Sequence, residues 1–281
     1  MSTRGHRPPA VRRRVDGNGF EEADTMPAQH STPLPPYRAM LAVDLKDFSG
    51  VEAVDQGRIG ADIPVLLRDT FQRMGHGYLH SEAKFFDHTG DGCAMGFRTR
   101  VLPTLLDLFP ATLQAELVDR ARRNGTRPQR MRVSVSVGPL TDKEGPSIRD
   151  GQGAARIETH RLLDSQPVRD LLTRSNPEVT LVAAIISARV YEDVVVGGYS
   201  SLRAESFVAA PVEVKSYEGT AYLHVPVPSG ELLATGFTPQ RPAAVEEVAE
   251  KPASVRIGNV DNNSGVVVGT NSGGFTFGGP R

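Results

Sequence analysis

The sequence predicts an α/β sandwich, in which a β-α-β-β-α-β arrangement packs its helices against one sheet and further elements follow. Three observations predict it: short apolar runs typical of buried strands, helical spacing of apolar residues between those runs, and a Gly-Asp-Gly turn that joins two of them. The chain has 281 residues, of which 39% are hydrophobic, so it is long enough to bury one sizeable core.

The predicted elements alternate between strands and helices along the chain. Each assignment rests on apolar periodicity and on the Gly or Pro residues that end the runs. In chain order we predict a strand over 38–44, a helix over 58–74, a hairpin from 83–87 and 93–97, a helical stretch over 102–124 with a break near Pro110, a strand over 131–137, helices over 153–163 and 167–173, a strand over 179–186, a helix over 187–196 and a closing strand pair over 212–215 and 220–225. The first six elements constitute a ferredoxin-like core.

Both ends of the chain differ in composition from this core. Residues 1–36 are rich in Arg, Pro, Ser and Gly, which predicts a disordered arm that is either solvated or faces a membrane surface, nucleic acid or an acidic partner. A globular domain is predicted over 37–226 and a Pro-rich acidic linker over 227–254. Residues 255–281, rich in Gly, Asn, Ser and Val, are either a flexible tail or a strand-forming peptide that adds to the sheet edge of a protein partner.

Charge and cysteine content exclude several classes of protein. Lys and Arg number 32 against 33 Asp and Glu, so there is no basic field to hold nucleic acid. Cys93 is the single cysteine, which excludes an intramolecular disulfide and a zinc ribbon and favours a reducing compartment. No apolar run reaches the ~20 residues of a membrane span, and no signal-peptide pattern follows the early arginines. We therefore expect a cytoplasmic protein with no membrane or nucleic-acid partner.

Two acids, Asp44 and Asp91, are the first candidates for chemistry. Asp44 ends the first strand and Asp91 lies in the hairpin between the next two, and these strands are neighbours in a β-α-β-β-α-β sheet. Carboxylates that converge in this way suit Mg²⁺ or Mn²⁺ together with phosphate oxygens. They indicate phosphoryl or nucleotidyl transfer with two metal ions about 3.5–4 Å apart. Taken alone, an Asp in such a turn or at the end of a strand is more often a turn or helix-cap residue, so the prediction depends on the two acids together.

Four stretches resemble the motifs of a known family. They read Met-Leu-Ala-Val-Asp-Leu-Lys-Asp-Phe-Ser over 40–49, His-Thr-Gly-Asp-Gly over 88–92, Met-Arg-Val-Ser-Val-Ser-Val-Gly-Pro over 131–139 and Arg-Leu-Leu-Asp over 161–164. In this order they resemble the two metal motifs, the central strand and the arginine-bearing helix of the class III nucleotidyl cyclases, the family of adenylate and guanylate cyclases. The resemblance covers roughly residues 37–226.

The resemblance implies roles for individual residues. Asp44, Asp91 and the backbone carbonyl of Leu45 would bind two Mg²⁺ or Mn²⁺ ions, and Arg161 would stabilise charge on the transferred phosphate of a nucleoside triphosphate. It also implies a head-to-tail homodimer with active sites at the interface. The metal ligands and Arg161 of one site would then come from opposite chains.

Three further positions would contact the substrate if the resemblance holds. Phe48 is the aromatic residue of the first metal motif, and Lys215 lies near the place of a phosphate-binding lysine in the late strands. Asp87 stands where the family reads the base; an ionised carboxylate accepts hydrogen bonds, so it favours guanine, uracil or the cytosine amino group and disfavours ATP. This choice resembles the Pycsar pyrimidine cyclases of bacterial antiphage signalling, which make cyclic UMP or cyclic CMP.

Two positions depart from the family's pattern, because Ile157 replaces the usual ribose-binding Asn and Asp47 stands where many members have Gly. Two hypotheses follow. The first is an enzyme that converts a nucleoside triphosphate, with UTP or CTP favoured and GTP possible, into a 3′,5′-cyclic monophosphate and pyrophosphate as a signal in antiphage defence. The second is an inactive cyclase-like module that binds a nucleotide or a protein partner through the C-terminal tail. A diguanylate cyclase is disfavoured because the Gly-Gly-Asp/Glu-Glu-Phe signature is absent.

Overall fold

A seven-stranded sheet organises the computed structural model, which describes residues 31–141 and 151–239. Most of the predicted N-terminal arm, the C-terminal part of the predicted linker and the whole predicted tail lie outside the described residues. The strands are β1 (Tyr37–Leu45), β2 (Phe85–His88), β3 (Gly92–Arg98), β4 (Met131–Pro139), β5 (Val182–Ser187), β6 (Val208–Val214) and β7 (Tyr217–His224). The helices are α1 (Ala53–Arg73), α2 (Tyr78–Ser81), α3 (Leu102–Asp107), α4 (Phe109–Asn124), α5 (Ala154–Asp164), α6 (Gln166–Thr173), α7 (Ala188–Val190) and α8 (Leu232–Thr235).

The order of strands across the sheet is β2-β3-β1-β4-β5-β7-β6. Strand β1 pairs antiparallel with both β3 and β4, whereas β5 runs parallel to β4. The first four strands with α1, α3 and α4 form the predicted β-α-β-β-α-β unit. The predicted α/β fold class is therefore confirmed.

Helices cover both faces of the sheet and divide the core into layers. Alternate residues of β1 separate the two faces, because successive side chains of a strand point to opposite sides. Leu41 and Val43 pack in the cluster under α1, α3 and α4, and Met40 packs in a smaller cluster with residues of α5. A third cluster joins α6 and α8 to β5, β6 and β7.

Helix α5 lies close against the central strand β4. A Cβ on Gly138 would come within 2.9 Å of the Cβ of Ala155, so a larger residue at either position would push the helix away. Ser136 forms a buried hydrogen bond with Thr159, and its hydroxyl lies 3.1 Å from the carbonyl oxygen of Ala155. These contacts fix α5 against the part of β4 that pairs with Arg38 and Met40, so the helix begins away from Asp44 and ends, at Asp164, nearer to it.

Several boundaries differ from the predictions for local physical reasons. The break in the helical stretch falls at Leu108, because Pro110 is accommodated in the first turn of α4, where its missing N–H costs no hydrogen bond. The predicted helix over 187–196 is a short α-helix followed by a π-helix over Tyr191–Val196. In the described part of the predicted linker, Ser229 accepts a hydrogen bond from the Asn176 backbone and Leu232 is buried against β5–β7.

Among the described helices, no single one has both the length and the apolar composition to cross a membrane. Two consecutive helical segments, Thr99–Asp107 and Phe109–Asn124, reach the required length and apolar composition only when they are taken together, and they are bent relative to each other.

Candidate active site

Asp44 lies near the end of β1, with 8% of its surface exposed. It shares a face with Met40, four residues earlier, and therefore points to the α5 side of the sheet. Burial raises the pKa of Asp44 to about 7, although Arg132 works against this shift. The neighbouring carboxylates of Asp91 and Asp164 raise the pKa further, which places three acids in one electrostatic neighbourhood.

Arg132, on β4 directly opposite Asp44, binds both oxygens of the Asp44 carboxylate. Its Nε donates to Oδ1 at 2.8 Å and its Nη2 donates to Oδ2 at 2.5 Å. Parallel hydrogen bonds of this kind are among the strongest that side chains form. The sequence analysis gave Arg132 no role. The available signal was that Arg132 is the only charged residue in a strand of apolar residues, serines, Gly and Pro.

The main chain at Asp91 is attached to strand β1. The Leu45 N–H donates to the carbonyl oxygen of Asp91 at 2.9 Å, and Gly92 pairs in register with Asp44. A Cβ on Gly92 would lie 2.1 Å from a carbonyl oxygen of β1, so this close approach requires glycine. Asp44 in β1 and Asp91, directly before β3, are therefore held at the same end of two neighbouring strands, as the predicted topology required.

The donor atoms of Asp44, Asp91 and the Leu45 carbonyl are all oxygens, which is the ligand type that Mg²⁺ and Mn²⁺ prefer. In the part of the chain that the structure describes, no cluster of three or more His, Cys, Asp or Glu is arranged to hold a metal ion. A cation here would depend on the two carboxylates. At Asp44 it would also have to compete with Arg132 for the same oxygens.

Asp87, the predicted base-reading residue, lies on the edge strand β2 and forms an ion pair with Arg156 of α5. The Asp87 side chain is 43% exposed and that of Arg156 is 20% exposed. The carboxylate thus faces solvent on one side and a cation of its own chain on the other. Arg156 is a second arginine to which the sequence analysis gave no role, because its partner is distant in the sequence.

Arg161 lies on α5, the helix that covers the Asp44 face. Its Nε is buried and has no hydrogen-bond partner among the described residues. An unsatisfied buried donor is unusual in a folded protein and is available to an anion. Ile157, one turn earlier on α5, is 60% exposed, so its apolar side chain faces solvent.

Phe48 follows β1 in a short turn and packs against the core under α1. It also lines a cavity of about 220 Å³ together with Ile59 and Arg130. The preceding residue, Asp47, has a φ of 62°, in the left-handed region that favours glycine. This conformation gives a physical reason for the Gly that many members of the resembling family have at this position.

Lys215 lies in the two-residue turn between β6 and β7 rather than within a strand, and this corrects its predicted placement. Its φ of 55° is in the left-handed region, which suits a tight hairpin turn. The next strand begins with Tyr217, whose hydroxyl donates to Glu158 of α5 at 3.1 Å. The β6–β7 hairpin is at the opposite edge of the sheet from Asp87.

A polar cavity of about 360 Å³ opens beside the Asp44–Arg132 pair. Three cations and one acid contribute to its lining, together with hydroxyl and amide groups. The lining residues are Lys46, Asp47, Ser49, Arg132, Gln166, Arg169, Leu172 and Thr173. The balance of charge suits an anionic ligand.

No protein-family model matches the sequence. No curated protein matches it either. Among solved structures, the chain is similar to the guanylyl cyclase Cya2, with 15% identity over 70% of this chain and 94% of that chain and a TM-score of 0.44.

It is also similar to an adenylate/guanylate cyclase/hydrolase from Silicibacter pomeroyi, with 18% identity over 68% of this chain and 97% of that chain and a TM-score of 0.44. A third similar structure is the guanylate cyclase domain of RhGC from Catenaria anguillulae in complex with GTP, with 11% identity over 70% of this chain and 100% of that chain and a TM-score of 0.41. At such low identities and TM-scores, these similarities assign no role to any residue of this chain.

Proposed function

We propose that the protein is a nucleotidyl cyclase, which converts a nucleoside triphosphate into a 3′,5′-cyclic monophosphate and pyrophosphate. The observation that carries the proposal is the position of Asp44 in β1 and of Asp91 directly before the neighbouring strand β3, each within a sequence that resembles a cyclase metal motif. The buried Nε of Arg161, which has no hydrogen-bond partner among the described residues, adds a donor for phosphate.

In this proposal Asp44, Asp91 and the Leu45 carbonyl hold two Mg²⁺ or Mn²⁺ ions. When bound, such ions would supply positive charge at the attacking 3′-hydroxyl and at the leaving pyrophosphate. Arg161 of the second copy of a homodimer stabilises the negative charge that develops on the transferred phosphate, because its planar fork matches phosphate oxygens.

The substrate proposal concerns the base and the triphosphate. Phe48 is proposed to position the nucleotide beside the metal motif, and Lys215 to bind phosphate. The Asp87 carboxylate accepts hydrogen bonds from N–H groups, so UTP or CTP is favoured, GTP is possible and ATP is disfavoured. We further propose that the product is a second messenger of antiphage defence made in the cytoplasm.

The test is incubation of the purified full chain with Mn²⁺ and ATP, GTP, CTP or UTP in separate reactions, followed by mass analysis for cyclic monophosphates. One nucleotide is expected to yield a cyclic product. The Asp44→Asn/Asp91→Asn double variant should lose this product while keeping the circular dichroism spectrum of the wild type. Asp55→Asn is the matched control, because Asp55 is an acid on α1, 47% exposed and paired with Arg58.

The assignment fails if no nucleotide is converted by folded protein, or if the double variant retains turnover. A second candidate function then applies, namely an inactive module that binds a nucleotide without converting it. Two observations favour this alternative: the exposed Ile157 at the ribose position and the engagement of Asp44 by Arg132. Nucleotide binding without product, measured by isothermal titration, would support it.

A further inference from the structure

The ion pair between Arg132 and Asp44 places a cation on the carboxylate that a metal ion would use. Both oxygens of Asp44 are engaged, and neither side chain is more than 12% exposed. Because little water surrounds the pair, its attraction is stronger than that of a surface ion pair. A divalent cation that binds Asp44 must therefore displace a tightly bound competitor.

A displaced Arg132 keeps its positive charge, since a guanidinium does not lose its proton in proteins. It then requires another anion, because an unpaired buried charge is costly. Arg132 already lines the polar cavity of about 360 Å³ described above, so this space lies beside its side chain.

The cavity offers further cations for an anion that carries several charges. Lys46 and Arg169 line it, and their present partners are the acids Asp47 and Asp164. Both acids are at least 49% exposed, so these pairs contribute little stability and exchange readily. A polyphosphate presents oxygens to several cations at once, and arginine binds such oxygens in pairs.

We infer that Arg132 couples the binding of a divalent metal ion to the binding of a polyphosphate in this cavity. Without metal, Asp44 holds Arg132. When a divalent cation occupies Asp44, Arg132 turns into the cavity and binds phosphate oxygens. The inference rests on the proposed function for the identity of the ligand, the triphosphate of a nucleotide, but the coupling requires no turnover.

The first experiment uses a double-mutant cycle on the full chain, titrated calorimetrically with inorganic tripolyphosphate in EDTA. Asp44→Asn releases Arg132, so metal-free binding of tripolyphosphate should tighten by at least about ten-fold. The same substitution on the Arg132→Gln protein removes the same charge but releases no cation. In the Arg132→Gln background, the increase in affinity for tripolyphosphate should stay below about two-fold, because general charge effects are screened at physiological salt. Equal gains in both backgrounds would overturn the inference.

The second experiment measures Mn²⁺ alone, by electron paramagnetic resonance of the free ion. Arg132→Gln removes the competitor for Asp44 and should tighten Mn²⁺ binding by at least about ten-fold. Arg122→Gln is the matched control, since Arg122 is 78% exposed on α4, and it should change nothing. If Arg132→Gln does not fold, Arg132→Lys keeps the charge but loses the paired hydrogen bonds, and Mn²⁺ binding should still tighten. Unchanged or weaker Mn²⁺ binding in a folded variant contradicts the inference.

The outcomes separate this inference from the proposed function. If no nucleotide yields a cyclic product but Asp44→Asn tightens tripolyphosphate binding only when Arg132 is present, the coupling stands and the cyclase assignment fails. If a cyclic product forms and the gain is the same with and without Arg132, the assignment stands and the coupling fails.

Discussion

Arg156 of α5 forms an ion pair with Asp87 of β2, so the carboxylate proposed to read the base is already engaged by a cation from its own chain. The pair also ties the helix above the Asp44 face to the edge strand of the sheet. If Asp87 reads the base as proposed, one contact connects base selection with the position of α5.

This contact predicts the effect of Arg156→Gln. The freed Asp87 carboxylate can accept more hydrogen bonds from a base, so the ratio of kcat/KM for the preferred nucleotide over ATP should rise several-fold. Stability should change by only about 0.2–1 kcal/mol, because the pair is partly exposed. Steady-state kinetics and urea unfolding measure the two effects. Adding Asp87→Asn to Arg156→Gln should abolish the increase in the kcat/KM ratio. An unchanged kcat/KM ratio in Arg156→Gln alone would show that Asp87 does not contact the base.

A second prediction concerns Arg161 and Asp44, which the proposed homodimer supplies to each site from different chains. Asp44→Asn and Arg161→Gln should each be inactive alone. Mixing the two proteins should restore about a quarter of wild-type activity, since half of the dimers are mixed and each mixed dimer has one intact site. Activity is measured after subunit exchange. If mixing restores nothing although mixed dimers form, both residues act within one chain.

A third prediction follows from the close approach of Gly92 to β1. Gly92→Ala places a Cβ 2.1 Å from the Val43 carbonyl oxygen, and backbone cannot yield as a flexible side chain does. The free energy of unfolding should fall by at least about 1–3 kcal/mol. Gly50→Ala is the matched control, because nothing lies within 4 Å of its added Cβ. Equal urea midpoints for the two variants would refute the steric argument.

A fourth prediction concerns His224, whose burial lowers its pKa although its bond to the Ser206 carbonyl oxygen, at 3.0 Å, raises it. The unfolded chain therefore binds more protons than the folded protein at pH values between the lowered pKa and about 6.5. Stability from this group is present above pH 6.5 and decreases as the pH falls, by at most about 1.4 kcal/mol per pH unit.

Urea unfolding between pH 8 and pH 5 measures this dependence, and His224→Gln should flatten it. The comparison is made relative to pH 8, where the histidine is neutral in both the folded and the unfolded chain. An equal slope in the variant and the wild type would mean that His224 does not contribute to acid sensitivity.

Much of the fold could be predicted from the sequence because its signals are local. Apolar periodicity and the Gly and Pro residues at the ends of each run predicted every strand of the sheet, and the Gly-Asp-Gly turn predicted the β2–β3 hairpin. Lys215 was placed wrongly, since the β6–β7 turn contains no glycine and its left-handed residue is a lysine. Local sequence gave no sign that the strand ends before it.

The two ion pairs of the candidate site could not be predicted, because each depends on the register of distant segments. Arg132 and Asp44 are 88 residues apart, and Arg156 and Asp87 are 69 apart. The motifs identified the two acids but not the cations that bind them. These two arginines decide whether the carboxylates of Asp44 and Asp87 are free to bind a ligand. Only the packing of β4 and α5 shows where the arginines lie.

The two outer strands of the sheet bear on how the protein avoids aggregation. Strand β2 has only four residues, which is too short to template a new strand along its free side. Strand β6 contains Pro211, which has no N–H to donate to an incoming chain, and Glu213, which adds charge. In the described part of the chain, both edges of the sheet thus resist the hydrogen-bonded addition of a strand from another chain.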